Sequence, residues 1–203
     1  MNNKVKSIVG TGLLMSLVIV LQIVSNYIQI GPVSINLSLI PIVVGSIIYG
    51  PWAGLFLGVV DGAIILTAPS TAFFLNFSTL WTILLCLFKT GLAGLISGFL
   101  FKLLKKKPLL GSIVASISAP LVNTGLFAIC TTLIFKNYII EAGLTTEAEF
   151  VPFLFLVFIG FNFLIEFGLN AGLSPVVHKL VSKVWVFNLE EQPELPDDQE
   201  KVS

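Results

Sequence analysis

Residues 40–62 read IPIVVGSIIYGPWAGLFLGVVDG, almost wholly apolar yet interrupted by Pro41, Gly45, the pair Gly50-Pro51, Gly54, Gly58 and finally Asp61. Taken as one helix, the surrounding stretch 37–67 would extend to about 46 Å at ~1.5 Å per residue, against a hydrocarbon core of about 30 Å. Proline is poor inside a helix and favourable at its first position, so Gly50-Pro51 predicts a tight turn between two short helices. Whether that turn exists sets the side on which every later segment emerges.

The frame for this choice is compositional. Hydrophobic residues make up 56% of the 203-residue chain, charged residues only 11%, and the mean hydropathy is +0.99, values outside the range of soluble domains. Several apolar runs exceed the roughly 18 residues that mark a spanning segment, and a spanning backbone must satisfy its own hydrogen bonds. An all-α integral membrane protein is therefore expected, and the short alternating segments of a β-barrel are missing. All 11 basic residues are lysines and no basic patch interleaves with aromatics, so nothing favours nucleic acid as a partner.

Outside the opening stretch, helices are predicted at about 8–30, 78–104, 109–135 and 150–182. The first apolar run lacks a small-residue cleavage site and is read as a retained helix. PSTAFFLNFS, 69–78, is read as an uncharged loop suited to a lid or binding loop, and 136–150 as a polar, acidic loop. Lysines near helix ends accumulate on the cytoplasmic side. With a turn at Gly50-Pro51 and the N-terminus inside, Lys4, Lys6, Lys102, Lys105, Lys106, Lys107, Lys179, Lys183 and Lys201 are all cytoplasmic, Lys136 is outside and Lys89 is intramembrane. A single span over 37–67 would strand Lys102 to Lys107 on the wrong face. The expectation is a compact six-transmembrane-helix bundle over residues 1–185 with both ends inside, followed by a disordered acidic cytoplasmic tail at 186–203.

Polar residues inside spans carry a cost of about 2.5–3.5 kcal/mol for a central Asp or Lys and mark functional sites by default. Asp61, Lys89 and Glu166 fall within the predicted helices, so they should face one another or a watery cavity. Asn162, Glu166 and Asn170 recur at four-residue steps and form one polar stripe. Asn123 and Thr124, with Gln22 and Asn26, supply further polar groups at compatible depths. Two arrangements are open: Lys89 pairs internally with Glu166 or Asp61 while the asparagines link helices, or at least two of these groups touch a solute.

Enzymatic signatures are missing. There is no HExxH, no Cys/His cluster and no GxxxxGK[ST] phosphate loop, and GLISGF at 94–99 does not match an intramembrane serine protease given that His178, the single histidine, sits near the far end of the last helix. Cys86 and Cys130 read as small buried hydrophobes. No catalytic residue, metal or cofactor is expected, and any ATP-driven transport requires another subunit to hold the nucleotide. Gly12 and Ser16 in GTGLLMS form a small-xxx-small pair of the kind that lets helices approach closely in lipid.

The stretch IQIGPVSINLSLIPIVVGSIIYGPWAGLFLGVVDG, with YGPWAG at its turn, resembles the start of the substrate-binding S component of energy-coupling factor (ECF) vitamin transporters. PSTAFF followed by KTGLAGLISGFLFKLLKK is similar to the family's next loop and helix, and the likeness covers residues 8–183. The resemblance implies a six-helix bundle in the plasma membrane that binds a vitamin from outside and docks on a transmembrane T component driven by two cytoplasmic ATPases. It implies that Gly12 and Ser16, which stand where many members carry an Ala-x-x-x-Ala motif, face the T component. It further implies a substrate pocket drawn from Asn36, Thr71, Asn76, Trp81, Lys89, Asn123, Asn162 and Glu166, and a pantothenate-like or flavin-like vitamin. The rival readings are a self-sufficient secondary carrier acting as a dimer and a structural or assembly membrane protein.

Overall fold

The computed structural model describes residues 3–30 and 33–190, so residues 191–203 of the expected tail lie outside the described residues. Helix α1 covers Asn3–Tyr27 and leads into a two-stranded antiparallel ribbon, β1 (Gln29–Ile30) and β2 (Val33–Ser34), that pairs Gln29 with Ser34 and Ile30 with Val33. Then come α2 (Leu39–Ile48), α3 (Pro51–Ile65), α4 (Pro69–Phe77), α5 (Thr79–Leu103) and α6 (Pro108–Cys130). A π-helical turn at Thr131–Phe135 carries α6 into α7 (Lys136–Glu141), so the expected acidic loop begins as helix. The last helical stretch comprises α8 (Phe150–Phe153), a second π-helical stretch at Leu154–Ile159 and α9 (Gly160–Glu190).

The opening stretch is two helices. Gly50 adopts φ 99°, a left-handed conformation that side chains resist, and Pro51 occupies the first turn of α3. The two helices fold back on each other: a Cβ on Gly45 would strike Leu57, one on Gly54 would strike Ser46, and Ser38 bonds to Asp61. These pairs are nearly symmetric about the turn, which makes an antiparallel hairpin.

Helices α3 and α5 are joined along a row of glycines. A Cβ on Gly54 would fall closer than 3.0 Å to the Gly94 carbonyl, one on Gly58 to the Thr90 carbonyl, and one on Gly62 to the Cys86 carbonyl. The four-residue spacing of Gly54, Gly58 and Gly62 sets all three on one face, and their partners recede along α5 in step, so the helices run antiparallel in backbone contact. Thr90 Oγ1 donates across the seam to the Gly58 carbonyl at 2.6 Å.

PSTAFFLNFS is largely helical. Pro69 starts α4, which turns 84° from α3, and Thr71 and Phe74, three residues apart, are its buried face. Loop-favouring composition is overridden here by tertiary burial of that face.

Among the described residues, three helices are long and apolar enough to cross a membrane, Val5–Tyr27, Thr79–Leu103 and Pro108–Glu141. Two bent pairs, Pro51–Ile65 with Pro69–Phe77 and Phe150–Val157 with Gly160–Lys183, bring the number to as many as five. The expected count was six. The shortfall is α2, whose 10 residues cover about 15 Å, half of a hydrocarbon core.

Candidate functional site

Two apolar clusters divide the bundle. One gathers Leu39, Ile42, Leu57, Ala93, Ala119 and Val177; the other gathers Phe74, Leu85, Phe135, Ile139, Phe150 and Ile159. Three helices pass from one to the other, and on each a polar residue falls between: Lys89 between Leu85 and Ala93, Asn123 between Phe127 and Ala119, and Glu166 between Ile159 and Val177. The polar layer so formed surrounds a cavity that opens in part to solvent.

The cavity wall follows helical geometry. Thr82, Leu85, Cys86 and Lys89 come from α5, and Ile159, Asn162, Phe163 and Glu166 from α9 and the π-helical stretch before it. Both sets repeat the offsets zero, three, four and seven that put residues on one helix face. Asn123, Thr124 and Phe127 come from α6, Thr71 and Phe74 from α4, Asn36 from the segment before α2 and Gln22 from α1. Phe74 meets Phe127 and Phe135 edge-on, with ring centroids 5.7 and 5.1 Å away, which anchors α4 on α6 and its π-helical turn.

Both acids are buried and engaged. Asn36 connects them: its backbone N–H donates to Glu166 Oε1 at 2.9 Å and its Nδ2 to Asp61 Oδ2 at 3.0 Å. Ser38 Oγ donates to Asp61 Oδ1 and lies 3.2 Å from Gln22 Oε1. Gln22 Nε2 in turn donates to Asn26 Oδ1 at 2.8 Å, and Asn26 Nδ2 reaches Thr67 Oγ1 at 3.2 Å. Asp61 thus sits behind the cavity wall and ties α3 to the segment carrying Asn36. Glu166 lines the cavity and also accepts from Asn123 Nδ2 at 3.4 Å.

Lys89 is placed differently. Its Nζ lies 5.7 Å from the centre of the Phe127 ring, a cation–π geometry, and among the described residues it forms no salt bridge. Internal pairing of Lys89 with Asp61 or Glu166, one of the two arrangements open from sequence, is not what the side chains adopt. Nearby, Asn123 Oδ1 is buried without a hydrogen-bond partner among the described residues. A half-buried cation and an orphan acceptor on one wall are suited to a solute that presents an anionic group and a donor.

Of the eight residues expected at a pocket, Asn36, Thr71, Lys89, Asn123, Asn162 and Glu166 come together on the cavity wall. Asn76 and Trp81 are exposed and do not reach it. Trp81 lies eight residues before Lys89, about 80° around α5, whereas Thr82 at seven residues is on the same face. Counting back from Lys89 in helical steps would have found Thr82 and Cys86. Asn76 lies five residues from Thr71 on α4, well round from that helix's buried face. Gln22 and Thr124 carried a depth signal in sequence; Ser34 and Ser70 carried none.

Gly12 and Ser16 lie apart from the cavity. A Cβ on Gly12 would meet nothing within 4 Å among the described residues, and Ser16 is exposed, its Oγ bonded to the Gly12 carbonyl at 3.1 Å. Helix α1 is only 11% buried over its apolar window, against 44% for α5 and 33% for α6, so an apolar face including Leu13, Leu17 and Val20 is left outward.

A family model described as "ECF transporter, substrate-specific component" matches residues 6–178. No curated protein and no solved structure matches the chain.

Proposed function

The chain belongs to the family of ECF transporter substrate-specific components, and from that premise we propose that it captures a small water-soluble vitamin bearing an anionic group, of the pantothenate or flavin phosphate type. The family comprises substrate-binding transport subunits of multi-pass membrane proteins rather than enzymes. The observation that carries the choice of an anion is Lys89, a cation on the cavity wall whose neighbouring acids are occupied by Asn36, Ser38 and Asn123. In this reading Lys89 takes the anionic group, Asn123 Oδ1 accepts from a ligand hydroxyl or amide, and Asn36, Thr71, Asn162 and Glu166 complete the wall. Phe74, Phe127 and Phe163 give the apolar part of the solute a surface.

The topology that accompanies it has six crossings with both ends cytoplasmic, the tail 186–203 among them. The short α2 then crosses with the help of the irregular segment before it. The lysine distribution supports this arrangement. The energising partners are a transmembrane T component and two cytoplasmic ATPases, with the exposed Gly12 and Ser16 face of α1 against the T component.

A thermal-shift panel of water-soluble vitamins on the detergent-purified protein tests the solute. An anionic vitamin should stabilise the wild type, and Lys89→Ala should weaken its affinity at least about tenfold, the loss expected when a hydrogen bond to a charged group worth roughly 1.5–3 kcal/mol is removed. Unchanged affinity in Lys89→Ala would exclude the anion assignment. Stabilisation by no compound would count against solute capture itself.

The partner face has its own test. Replacing Gly12 and Ser16 together with leucine should abolish uptake by the assembled transporter while leaving solute affinity within about twofold, because neither residue approaches the cavity and close helix approach needs small side chains. Loss of binding with assembly preserved would show the interface to be elsewhere.

A further inference from the structure

We propose that the lysine-bearing end of α5 holds the phosphate headgroup of an anionic phospholipid, in a pocket formed against the α2–α3 turn. The pocket is lined by Ser46 and Tyr49 of α2 and its C-cap, by Gly50 and Pro51 of the turn, and by Lys102 and Lys105. Lys102 belongs to the last turn of a 25-residue candidate membrane span, which sets the pocket at the level where a bilayer's headgroups lie. A run of lysines beside a helix end is ordinarily explained by membrane orientation alone. What distinguishes Lys102 and Lys105 is that these two, three residues apart, line the pocket, whereas Lys106 and Lys107 do not.

The chemistry around them fits a lipid better than a free anion. Ile47, Ile48 and Phe101 give the pocket apolar walls beside the ammonium groups. Along α5, Phe99 and Leu103, 43% and 79% exposed, stand one helical turn apart and extend an apolar surface for acyl chains. Trp52, 72% exposed just beyond the turn, is of the residue type that anchors at the headgroup level. A partner with a phosphate at one end and hydrocarbon at the other meets both surfaces at once. Basic pockets between helices at a membrane surface take acidic headgroups for this reason.

The test uses the full-length protein in detergent, titrated with phosphatidylglycerol, phosphatidylcholine or glycerol phosphate and read by native mass spectrometry. Phosphatidylglycerol is expected to bind at least tenfold more tightly than either of the other two. The double substitution Lys102→Gln with Lys105→Gln should weaken it at least about tenfold, while Lys106→Gln with Lys107→Gln, which removes the same charge, should change it no more than about twofold. Equal losses from the two double variants would overturn the site in favour of a diffuse field. Phosphatidylcholine binding as tightly as phosphatidylglycerol would overturn it as well, and that arm decides without any variant. Glycerol phosphate matching phosphatidylglycerol would mean a soluble anion and not a lipid.

Discussion

Replacing Gly58 with leucine is expected to destabilise the bundle by about 3 kcal/mol or more, although leucine is the better helix former and the more apolar residue. The new Cβ would fall closer than 3.0 Å to the Thr90 carbonyl and to the Gly91 Cα, and these are backbone atoms that no rotamer change can move. Relief requires α3 and α5 to separate along the whole glycine row, which also breaks the 2.6 Å bond from Thr90 Oγ1 to the Gly58 carbonyl. At roughly 2–4 °C per kcal/mol for a domain of this size, Tm should fall on the order of 10 °C. Gly125→Leu on α6 is the control, since none of the described residues lies within 4 Å of its Cβ position. A Gly58→Leu protein that stays monodisperse with an unchanged Tm would refute backbone contact between the two helices.

Asp61→Ala is expected to cost solute affinity more than tenfold, although Asp61 does not line the cavity. Two buried donors, Asn36 Nδ2 and Ser38 Oγ, share its carboxylate. Ser38 Oγ has Gln22 Oε1 and Asn36 Oδ1 as further acceptors, but Asn36 Nδ2 loses its acceptor, and a buried polar group left unsatisfied costs about 1–3 kcal/mol. Asn36 then keeps its backbone bond to Glu166 and the local bond that its Oδ1 accepts from Ser38 Oγ, but the segment carrying Asn36 and Ser38 loses its tie to α3. Asp61→Asn keeps an oxygen acceptor for one donor and should lie between wild type and alanine in affinity. Isothermal titration beside a thermal melt separates the effects: affinity should fall further than the loss of Tm alone would give. Wild-type affinity in Asp61→Ala would mean that the polar network behind the wall is structural only.

The hairpin at the head of the bundle was legible because two independent constraints agreed, the conformational demands of Gly50-Pro51 and the placement of Lys102 to Lys107. The same glycines that interrupt the stretch gave no hint of their partner. Spacing shows that Gly54, Gly58 and Gly62 share a face, but identifying α5 as the helix against it requires the three-dimensional structure. At the candidate site, depth was readable and direction only partly so. Lys89, Asn123 and Glu166 are legible because charge and amide groups are costly in an apolar span, whereas Trp81 rested on the family resemblance alone and helical phase from Lys89 points to Thr82 instead. The partners of Asp61 were not legible at all. They come from Asn36 and Ser38 in an irregular segment, whose course is set by α1 on one side and α9 on the other. The π-helical turns likewise leave no mark in the sequence, since the same residues would suit an α-helix.

Asn36 receives its two bonds to the acids at different times in the life of the chain. Asp61 follows it by only 25 positions, so that bond is available as soon as the α2–α3 hairpin has formed. Glu166 is 130 positions downstream on α9, the last described helix to leave the ribosome. Until it arrives, the Asn36 amide and Asn123 Nδ2 lack the acceptor they share, and the cavity lacks one of its walls. The glycine-bonded pair α3 and α5 is by contrast complete with the first half of the chain. Synthesis therefore finishes the scaffold early and the candidate site last, and only chains translated through α9 carry its complete wall.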